Sequence, residues 1–347
     1  MSTKEKPFRW GIAGFGGFSD VAMAPAIAGT PGHKLQAVWG RNPERTRALA
    51  QKYGAPRCAA GPEELLEAGD LDAVYIATPN SLHAEWTVRA ARSGLHVLCE
   101  KPMAAGLEPA GRMLEACRSS KVRLGIGNMM RFNPCHGWIR RFIADGNLGE
   151  VTEAQGLFGY DLPAFFPLAT SPWRLDPALS GGGAMMDVGV HVVDLLRFLI
   201  GREVAEVTGA IDTRGYPFPS DWNSAAVLRF EGGALATVLA SFDNLFRENY
   251  LSISGTRGSL KAEGTLWRQS TGSVRAVTDR GIFGFQPATD SPDPYRLQIE
   301  HFAASIASGR DPLIDGREGW RDLAVCLAVY EADRRRAAVQ PEPCPLS

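Results

Sequence analysis

Apolar runs alternate with helix-like segments through the first 127 residues, and this pattern constrains the fold more than any other feature of the chain. The strand-like runs are Phe8–Ala13, Leu35–Trp39, Ala73–Ala77, His96–Cys99 and Val122–Ile126. When strands alternate with helices in this way, each helix crosses back over the sheet and the strands become parallel neighbours. We therefore predict an α/β fold that begins with a doubly wound parallel sheet over residues 1–127.

The pattern changes after about Asn128. A helix-like segment around Trp138–Ala144 precedes a long region, Val204–Val277, that consists mostly of strand patterns separated by glycine-containing turns. Short turns between strands indicate antiparallel hairpins. Helical patterns follow at Pro294–Ser308 and Gly319–Ala337. We predict that residues 128–347 form a second α/β domain with a mostly antiparallel sheet.

Composition excludes several classes of protein. The net charge is −1 and the charged residues are mixed, whereas a nucleic-acid-binding surface needs a basic excess. The sequence has no apolar run of the roughly 18 residues that a membrane span requires. Six cysteines without a CxxC pair favour reduced thiols, as in a cytoplasmic protein. Basic residues before the first apolar stretch superficially resemble a signal peptide, but the glycines that follow favour a first strand and turn.

A glycine-rich turn, Gly14-x-Gly16-x-x-Ser19, directly follows the first strand. Gly14 permits a tight turn, and Gly16 lets the backbone approach a pyrophosphate at the start of the next helix. The turn departs from GxGxxG at Ser19, which fits where the third glycine serves only close packing. Alone the turn is weak evidence, but its position at the start of an alternating series predicts a dinucleotide site.

The end of the second predicted strand indicates which nicotinamide cofactor binds there. NAD-binding units usually carry a carboxylate at this place to bind the ribose hydroxyls. Here the sequence is Gly40-Arg41-Asn42, and Arg45 follows one turn later. Two guanidiniums can bind a 2′-phosphate, so we predict NADP(H), with NAD as the alternative. The other interpretation is that both arginines are solvated charges at the start of a helix, for which Asn42 is a plausible N-cap.

Three residues carry the groups that alcohol–carbonyl redox chemistry needs. Lys101 follows the strand that ends at Cys99, where a lysine can stabilise a developing alkoxide. Asp187 and His191 are four residues apart in a helix-like segment that opens with Gly181-Gly182-Gly183, so the carboxylate can orient the imidazole.

Each of these residues also has a simpler interpretation. A lysine between Glu100 and Pro102 is usually in a surface turn, and an aspartate–histidine pair can simply stabilise a helix surface. With Asp194 one turn further on, a metal site is also possible, but no second histidine lies close in the sequence, so we predict no metal.

The whole set resembles the glucose–fructose oxidoreductase/inositol dehydrogenase family. The likeness covers nearly the full length. It rests on the glycine turn, Ala77-Thr78-Pro79-Asn80 with His83, Glu100-Lys101-Pro102, and the three glycines that lead to Asp187 and His191. It implies a Rossmann domain followed by an α/β domain whose open, mostly antiparallel sheet often forms the interface of a homodimer or homotetramer. It also implies a cis peptide bond between Lys101 and Pro102.

By this resemblance, Lys101, Asp187 and His191 match the catalytic positions, although members differ over whether the lysine or the histidine is the formal acid/base. The matching cofactor contacts are Gly14, Phe15, Gly16, Gly40, Arg41, Arg45, Thr78, Asn80, His83, Glu100, Lys101 and Asn128. Trp173, Arg174 and Tyr295 resemble further contacts in a sugar-reductase branch that uses NADP; their other interpretation is ordinary packing and a surface charge.

We therefore predict an NADP(H)-dependent oxidoreductase that acts on a secondary alcohol or ketone of a sugar, polyol or related small molecule. Two alternatives stay open: a nicotinamide-dependent glycosidase with transient redox, and a cofactor-sensing binding protein without turnover. We expect loops such as Phe158–Trp173 and Phe242–Asn249 to line the substrate pocket. Arg131 and Arg247 are candidates to bind a substrate carboxylate, or else surface residues.

Overall fold

The computed structural model describes residues 6–165, 172–215, 219–243 and 248–346. These residues form two compact units. The first unit contains the chain up to Gly127 together with Tyr295–Gly319 and Leu346, and the second contains Asn128–Pro294 and Trp320–Pro345. The sequence pattern grouped all of residues 128–347 together, whereas Tyr295–Gly319 packs within the first unit.

The first unit is built on a parallel six-stranded sheet. Its elements are β1 (Phe8–Ala13), α1 (Gly17–Val21), α2 (Met23–Gly29), β2 (His33–Trp39), α3 (Pro43–Tyr53), β3 (Arg57–Cys58), α4 (Pro62–Leu66), β4 (Ala73–Ile76), α5 (His83–Arg92), β5 (His96–Cys99), α6 (Leu107–Ser119) and β6 (Leu124–Ile126). The strand order is β3-β2-β1-β4-β5-β6, and every pair is parallel. This confirms the predicted doubly wound sheet, with its topological switch point between β1 and β4.

The returning segment closes the first unit on the β6 side. Ile126 donates its main-chain N–H to the carbonyl of Ile314 at 2.9 Å. The ring of Phe302 lies 5.7 Å from that of Trp10, and a Cβ at Gly125 would lie 2.8 Å from Phe302. Apolar burial against the sheet thus explains why this late segment belongs to the first unit.

The second unit is built on an eight-stranded sheet. Its elements are α7 (Pro134–Ala144), β7 (Val151–Gly159), α8 (Leu162–Phe165), α9 (Pro177–Ser180), α10 (Val190–Ile200), β8 (Val204–Asp212), β9 (Asn223–Phe230), β10 (Leu235–Ser241), β11 (Tyr250–Gly255), β12 (Gly258–Glu263), β13 (Ser273–Thr278) and β14 (Gly281–Phe285). The chain ends with α11 (Pro294–Ala307) and α12 (Gly316–Arg335).

The order of the second sheet is β14-β13-β12-β11-β7-β10-β9-β8. Strands β7 and β10 are parallel, and the other neighbours are antiparallel, as predicted. Buried and exposed residues alternate along β9 and β10. One face of the sheet is therefore covered, by α10 among other elements, and the opposite face, which we call the outer face, is exposed.

Across the described parts of the chain, we find no helix that combines the length and the apolar character that a membrane span requires.

Candidate active site

The glycine turn follows β1 at the carboxyl edge of the parallel sheet. Gly14 has φ +89°, and a Cβ there would lie 2.5 Å from the carbonyl oxygen of Ala77. The main-chain N–H groups of Gly14 and Phe15 both donate to the carbonyl of Trp39, at 3.0 and 2.7 Å. A Cβ at Gly16 would meet no described atom closer than 3.9 Å. The backbone at Gly16 is therefore open to a ligand, which fits a dinucleotide pyrophosphate.

Ser19, the departure from the three-glycine pattern, is buried. Its hydroxyl donates to the carbonyl oxygen of Gly14 at 3.2 Å. The serine side chain thus closes the turn with a hydrogen bond, and its small volume preserves the close packing that a third glycine would give. This departure does not weaken the cofactor interpretation of the turn.

The two arginines after β2 lie on the surface of the first unit. As predicted, Asn42 caps α3 by accepting from the N–H of Arg45 at 2.9 Å. Pro43 occupies the first helical position. A Cβ at Gly17 would lie 3.1 Å from Nη2 of Arg45, so this guanidinium lies beside the glycine turn. Arg41 is exposed.

His83 is buried behind the loops that follow β4 and β5. Its Nδ1 lies 3.0 Å from the carbonyl oxygen of Pro102, and its Nε2 lies 3.0 Å from that of Thr78. Burial lowers the pKa of His83 to about 4, so the ring is neutral at pH 7 and donates to one of the two carbonyls. The peptide bond between Lys101 and Pro102 is cis, as the family resemblance implied.

Glu100 is fixed by two donors. The Tyr75 hydroxyl donates to its Oε1, and the main-chain N–H of Lys101 donates to its Oε2 at 3.2 Å. Burial raises the pKa of Tyr75 well above its usual value, so the phenol keeps its proton. Sequence analysis missed Tyr75, because its partner directly follows the neighbouring strand β5, 25 residues away.

Further residues at this edge complete the predicted cofactor set of the first unit. Thr78 and Asn80 are buried, and the hydroxyl of Thr78 has no hydrogen-bond partner among the described residues. Such an unsatisfied group at a ligand-binding edge fits a polar ligand. Tyr295 is buried too, with its ring 6.2 Å from that of Phe18 in α1. The predicted positions that follow β1, β2, β4 and β5 thus share one sheet edge, and Lys101 is among them.

Asp187 and His191 belong to the second unit, where the helix that carries them differs from the prediction. Met185–Gly189 is a π-helical turn that continues into α10, so the two residues are not spaced by a regular α-helical turn. Asp187 is half-buried and His191 is buried, with its ring 5.9 Å from that of Phe158. Turns of this type occur frequently at functional sites.

Asp221 anchors the start of this helical segment. Its carboxylate accepts from the N–H groups of Gly183 and Met185, at 2.6 and 2.7 Å, and from the hydroxyl of Tyr330 at 2.7 Å. A Cβ at Gly183 would lie 1.9 Å from the carbonyl oxygen of Asp221, which explains why this position needs glycine. Sequence analysis missed Asp221, since it lies 38 residues from Gly183.

The carboxylate of Asp187 has a partner that the sequence also did not indicate. The hydroxyl of Tyr160, the residue after β7, donates to Oδ2 of Asp187 at 2.5 Å. Two aromatic rings contact that of Tyr160, Phe165 at 5.7 Å and Phe242 at 5.5 Å between centroids, and the ring of Phe158 lies 6.2 Å from that of Trp267. Phe158 and Phe165 belong to the predicted pocket loop 158–173, of which residues 166–171 lie outside the described residues.

Arg131 requires a correction. It is not on the surface, because it is buried and binds the carboxylate of Asp194 through Nε and Nη2, at 2.8 and 2.7 Å. This ion pair also gives Asp194 a role other than that of a metal ligand. The sequence could not reveal the pair, since its members are 63 residues apart. Arg247, the other candidate for a substrate carboxylate, lies outside the described residues.

Three predicted cofactor contacts lie in the second unit. Asn128 is buried and donates to Oδ2 of Asp322 at 3.1 Å, while its Oδ1 has no partner among the described residues. Trp173 and Arg174 lie in a 3₁₀ turn, Pro172–Leu175, where the guanidinium lies 4.6 Å from the indole ring. The convergence of these residues, and of Asp187 and His191, with Lys101 stays a prediction.

Comparisons with known proteins agree with both halves of the fold. Residues 8–128 match a family described as "Oxidoreductase family, NAD-binding Rossmann fold", and residues 137–261 match the "GFO/IDH/MocA C-terminal domain". The chain is 32% identical over 333 residues to D-xylose 1-dehydrogenase (NADP(+)) 2 of Haloferax volcanii. The aligned region covers 95% of this chain and 99% of that protein.

Two further proteins are similar over almost their whole length. The 1,5-anhydro-D-fructose reductase of Ensifer adhaerens is 31% identical, over 96% of this chain and 98% of the reductase. The structure of aldose-aldose oxidoreductase from Caulobacter crescentus complexed with glycerol superposes with a TM-score of 0.88 at 29% identity, over 96% of this chain and 99% of that one. From its two matched domains and its full-length relatives, the chain belongs to the GFO/IDH/MocA oxidoreductase family.

Proposed function

We propose that this chain is an NADP(H)-dependent oxidoreductase that interconverts a secondary alcohol and a ketone on a sugar, polyol or related small molecule. One observation carries the proposal: Lys101 lies at the same sheet edge as the glycine turn, in a family of oxidoreductases. The relatives named above are a sugar dehydrogenase, a sugar reductase and an aldose oxidoreductase, which supports a sugar-like substrate.

Each catalytic residue has a distinct role in this proposal. The nicotinamide, when bound, supplies or accepts the hydride. The Lys101 ammonium donates a hydrogen bond to the reacting oxygen and stabilises negative charge that develops there. His191 exchanges the hydroxyl proton, and Asp187 orients its ring. Whether the lysine or the histidine is the formal acid/base stays open.

The decisive experiment for this function is a screen in which the absorbance of NADPH is followed with sugars, polyols and keto-sugars. We expect a stoichiometric change in absorbance with at least one of these classes. A nicotinamide-dependent glycosidase would instead release product while the absorbance stays flat. Binding of NADPH without turnover of any substrate would support the cofactor-sensing alternative. The names of the relatives favour the oxidoreductase over both.

Replacing Lys101 tests the catalytic assignment. The Lys101→Met variant keeps the length of the side chain but removes the charge, so we expect kcat to fall by about 100- to 10,000-fold. Binding of NADPH, measured by quenching of protein fluorescence, should change little. Lys121→Met, in the turn after α6, is the matched control and should retain wild-type kcat. A mild loss in Lys101→Met would refute the assignment.

The preference for NADP rests on Arg41 and Arg45, with the Arg45 guanidinium beside the glycine turn. A guanidinium–phosphate hydrogen bond is worth about 1.5–3 kcal/mol, so Arg45→Ala should lower kcat/KM for NADP(H) by about 10- to 100-fold. The value for NAD(H) should change little. Arg47→Ala, on the same helix, is the control. A wild-type enzyme that prefers NAD would contradict this part of the proposal.

Two wider expectations accompany this function and also stay predictions. One is a location in the cytoplasm. The other is assembly into a homodimer or homotetramer.

A further inference from the structure

We propose that Tyr160 is a positioning residue, which holds the carboxylate of Asp187 in its working orientation. The inference rests on the proposed function, because it assigns Tyr160 to the same reaction. Its basis is the 2.5 Å bond from the Tyr160 hydroxyl to Oδ2 of Asp187. This length lies in the range of about 2.5–2.7 Å that is typical of a hydroxyl bound to an ionised carboxylate.

The phenol side of this bond is fixed independently of Asp187. Tyr160 is 4% exposed, and its main-chain N–H donates to the carbonyl of Ser241 at 3.0 Å. Its ring makes edge-on contacts with Phe242 and Phe165, at 5.5 and 5.7 Å between centroids. The preceding residue, Gly159, is held through both its N–H and its carbonyl by the amide of Asn249. Tyr160 is therefore a rigid donor.

The carboxylate side is fixed by the π-helical turn. The backbone ahead of Asp187 is bound at Gly183 and Met185 by Asp221, which sets the position of the Asp187 Cα. Backbone anchoring leaves the carboxylate to rotate about its side-chain torsions. A hydrogen bond from a rigid phenol to one carboxylate oxygen removes that freedom and sets the direction of the other oxygen. If Asp187 orients His191 as proposed, a hydrogen bond that fixes its carboxylate preorganises the site.

Of the strands that pack on this turn, β10 has no ionisable residue, and those of β7 and β9, Glu153 and Arg229, are exposed. On α10, which follows the turn, Asp194 and Arg197 are held in ion pairs with Arg131 and Asp322, so His191 is the group there that is proposed to exchange a proton. From α12, the thiol of Cys326 lies 3.9 Å from the Met185 carbonyl, and Tyr330 binds Asp221. Burial raises the pKa of the Cys326 thiol and that of the Tyr330 phenol well above their usual values. Both groups therefore stay neutral over the pH range of the acid limb.

The Tyr160→Phe variant removes the hydroxyl and keeps the ring. Without the phenol as a donor, the carboxylate of Asp187 has a higher pKa. Its charge is then less delocalised, so it also raises the pKa of the His191 imidazole. Both effects move the acid limb of kcat for alcohol oxidation to higher pH, by about one unit. We expect kcat at neutral pH to fall about tenfold, with KM changed less than about twofold.

A double-mutant cycle separates positioning from general stability. If Tyr160 acts through Asp187, Tyr160→Phe should have almost no further effect on kcat in an Asp187→Asn background. Tyr53→Phe is the matched control, since it removes another tyrosine–aspartate bond, the one from the Tyr53 hydroxyl to Oδ1 of Asp20 at 2.8 Å in the first unit. It should lower Tm and leave the acid limb in place.

Each outcome has a separate meaning. Full activity in Asp187→Asn would contradict the proposed catalytic role of Asp187. An impaired Asp187→Asn with a wild-type pH profile in Tyr160→Phe would overturn only the role of Tyr160, as would additive effects in the cycle. If Tyr160→Phe does not fold, 3-fluorotyrosine at position 160 provides the same test. It is a stronger donor and should move the acid limb to lower pH; an unmoved limb would overturn the inference.

Discussion

A single hydroxyl lets the glycine turn of the first unit tolerate a departure from the usual pattern. The Ser19 hydroxyl donates to the carbonyl of Gly14, and a buried acceptor that loses its donor costs about 1 kcal/mol or more. We expect Ser19→Ala to lower the free energy of unfolding by about 1 kcal/mol and to raise KM for the cofactor. Urea denaturation and steady-state kinetics measure the two effects.

The matched control for Ser19 is Ser93→Ala. Its hydroxyl also donates to a main-chain carbonyl, that of Arg89, but on an exposed surface where water can replace it. We expect no measurable change in stability or KM. Equal effects in the two variants would show that the bond to Gly14 has no special role in the turn.

His136 makes stability depend on pH at acid values. The buried ring lies between the carbonyl of Met130, 2.7 Å from Nδ1, and the hydroxyl of Thr265, 3.1 Å from Nε2, and burial lowers its pKa to about 4. In the unfolded chain the pKa is about 6.5, so between these values the unfolded state binds more protons. The contribution of His136 is complete above pH 6.5 and is lost as the pH falls toward 4.

The size of this loss can be measured directly. Over the whole window it amounts to about 3 kcal/mol, at about 1.36 kcal/mol per pH unit. We expect the free energy of unfolding of the His136→Asn variant to fall less steeply between pH 6.5 and 4 than that of the wild type. Parallel curves for the two proteins would mean that His136 has the same pKa in both states.

Residues that act locally could be predicted, whereas residues that act through distant partners could not. The open backbone at Gly16 and the cap at Asn42 follow from motifs within a few residues, and the structure agrees with both. The surface position considered for Arg131 was wrong, because the residue is buried and its partner Asp194 lies on α10. The Tyr160–Asp187 bond joins positions 27 apart that no spacing rule connects.

At the scale of elements, the hydrophobic periodicity of the sequence predicted most strands and helices of the first unit. It did not predict the π-helical turn in the segment that carries Asp187. Alternation of strands and helices is a strong signal, since each crossover must bury an apolar face. A helical run was also clear around Asp187, but its first turn is π-helical. Asp221 binds the backbone at the start of that turn. This is a tertiary contact, which local helix propensity does not reveal.

Gly183 is the most constrained position of this segment. A Cβ at Gly183 would lie 1.9 Å from the carbonyl oxygen of Asp221, so the backbone of one of them must move. We expect Gly183→Ala to lower the free energy of unfolding by about 1–3 kcal/mol, and kcat by more than about tenfold through displacement of the π-helical turn. Thermal unfolding and steady-state kinetics test the two parts.

Gly137→Ala is a control in the same unit with the opposite expectation. Gly137 lies within α7, and a Cβ there would have no described atom within 4 Å. Alanine in a helix interior is about 0.5–1 kcal/mol more favourable than glycine, so this variant should be slightly stabilised and fully active. Similar behaviour of the two variants would contradict the role given to the close contact at Gly183.

At the scale of the whole molecule, the feature that bears on assembly is the exposed outer face of the second sheet. On the interior strands β9 and β10, the exposed apolar side chains Val227, Leu235 and Leu239 are 44%, 41% and 41% accessible. Their neighbours along each strand point into the core, so the outer face has an apolar patch of its own. Such a patch on a sheet is typical of a surface that binds another protein chain.

We expect this patch to be the contact between copies of the chain in a homodimer or homotetramer. A charge at Leu239 would be buried without a partner in the assembly, so Leu239→Asp should dissociate it. Light scattering during gel filtration should give a multiple of the 37.5 kDa chain mass for the wild type and a smaller mass for the variant. Leu313→Asp, in the first unit with the same 41% exposure, should keep the wild-type mass. A monomeric wild type at micromolar concentration, or dissociation by both substitutions alike, would contradict this assignment of the outer face.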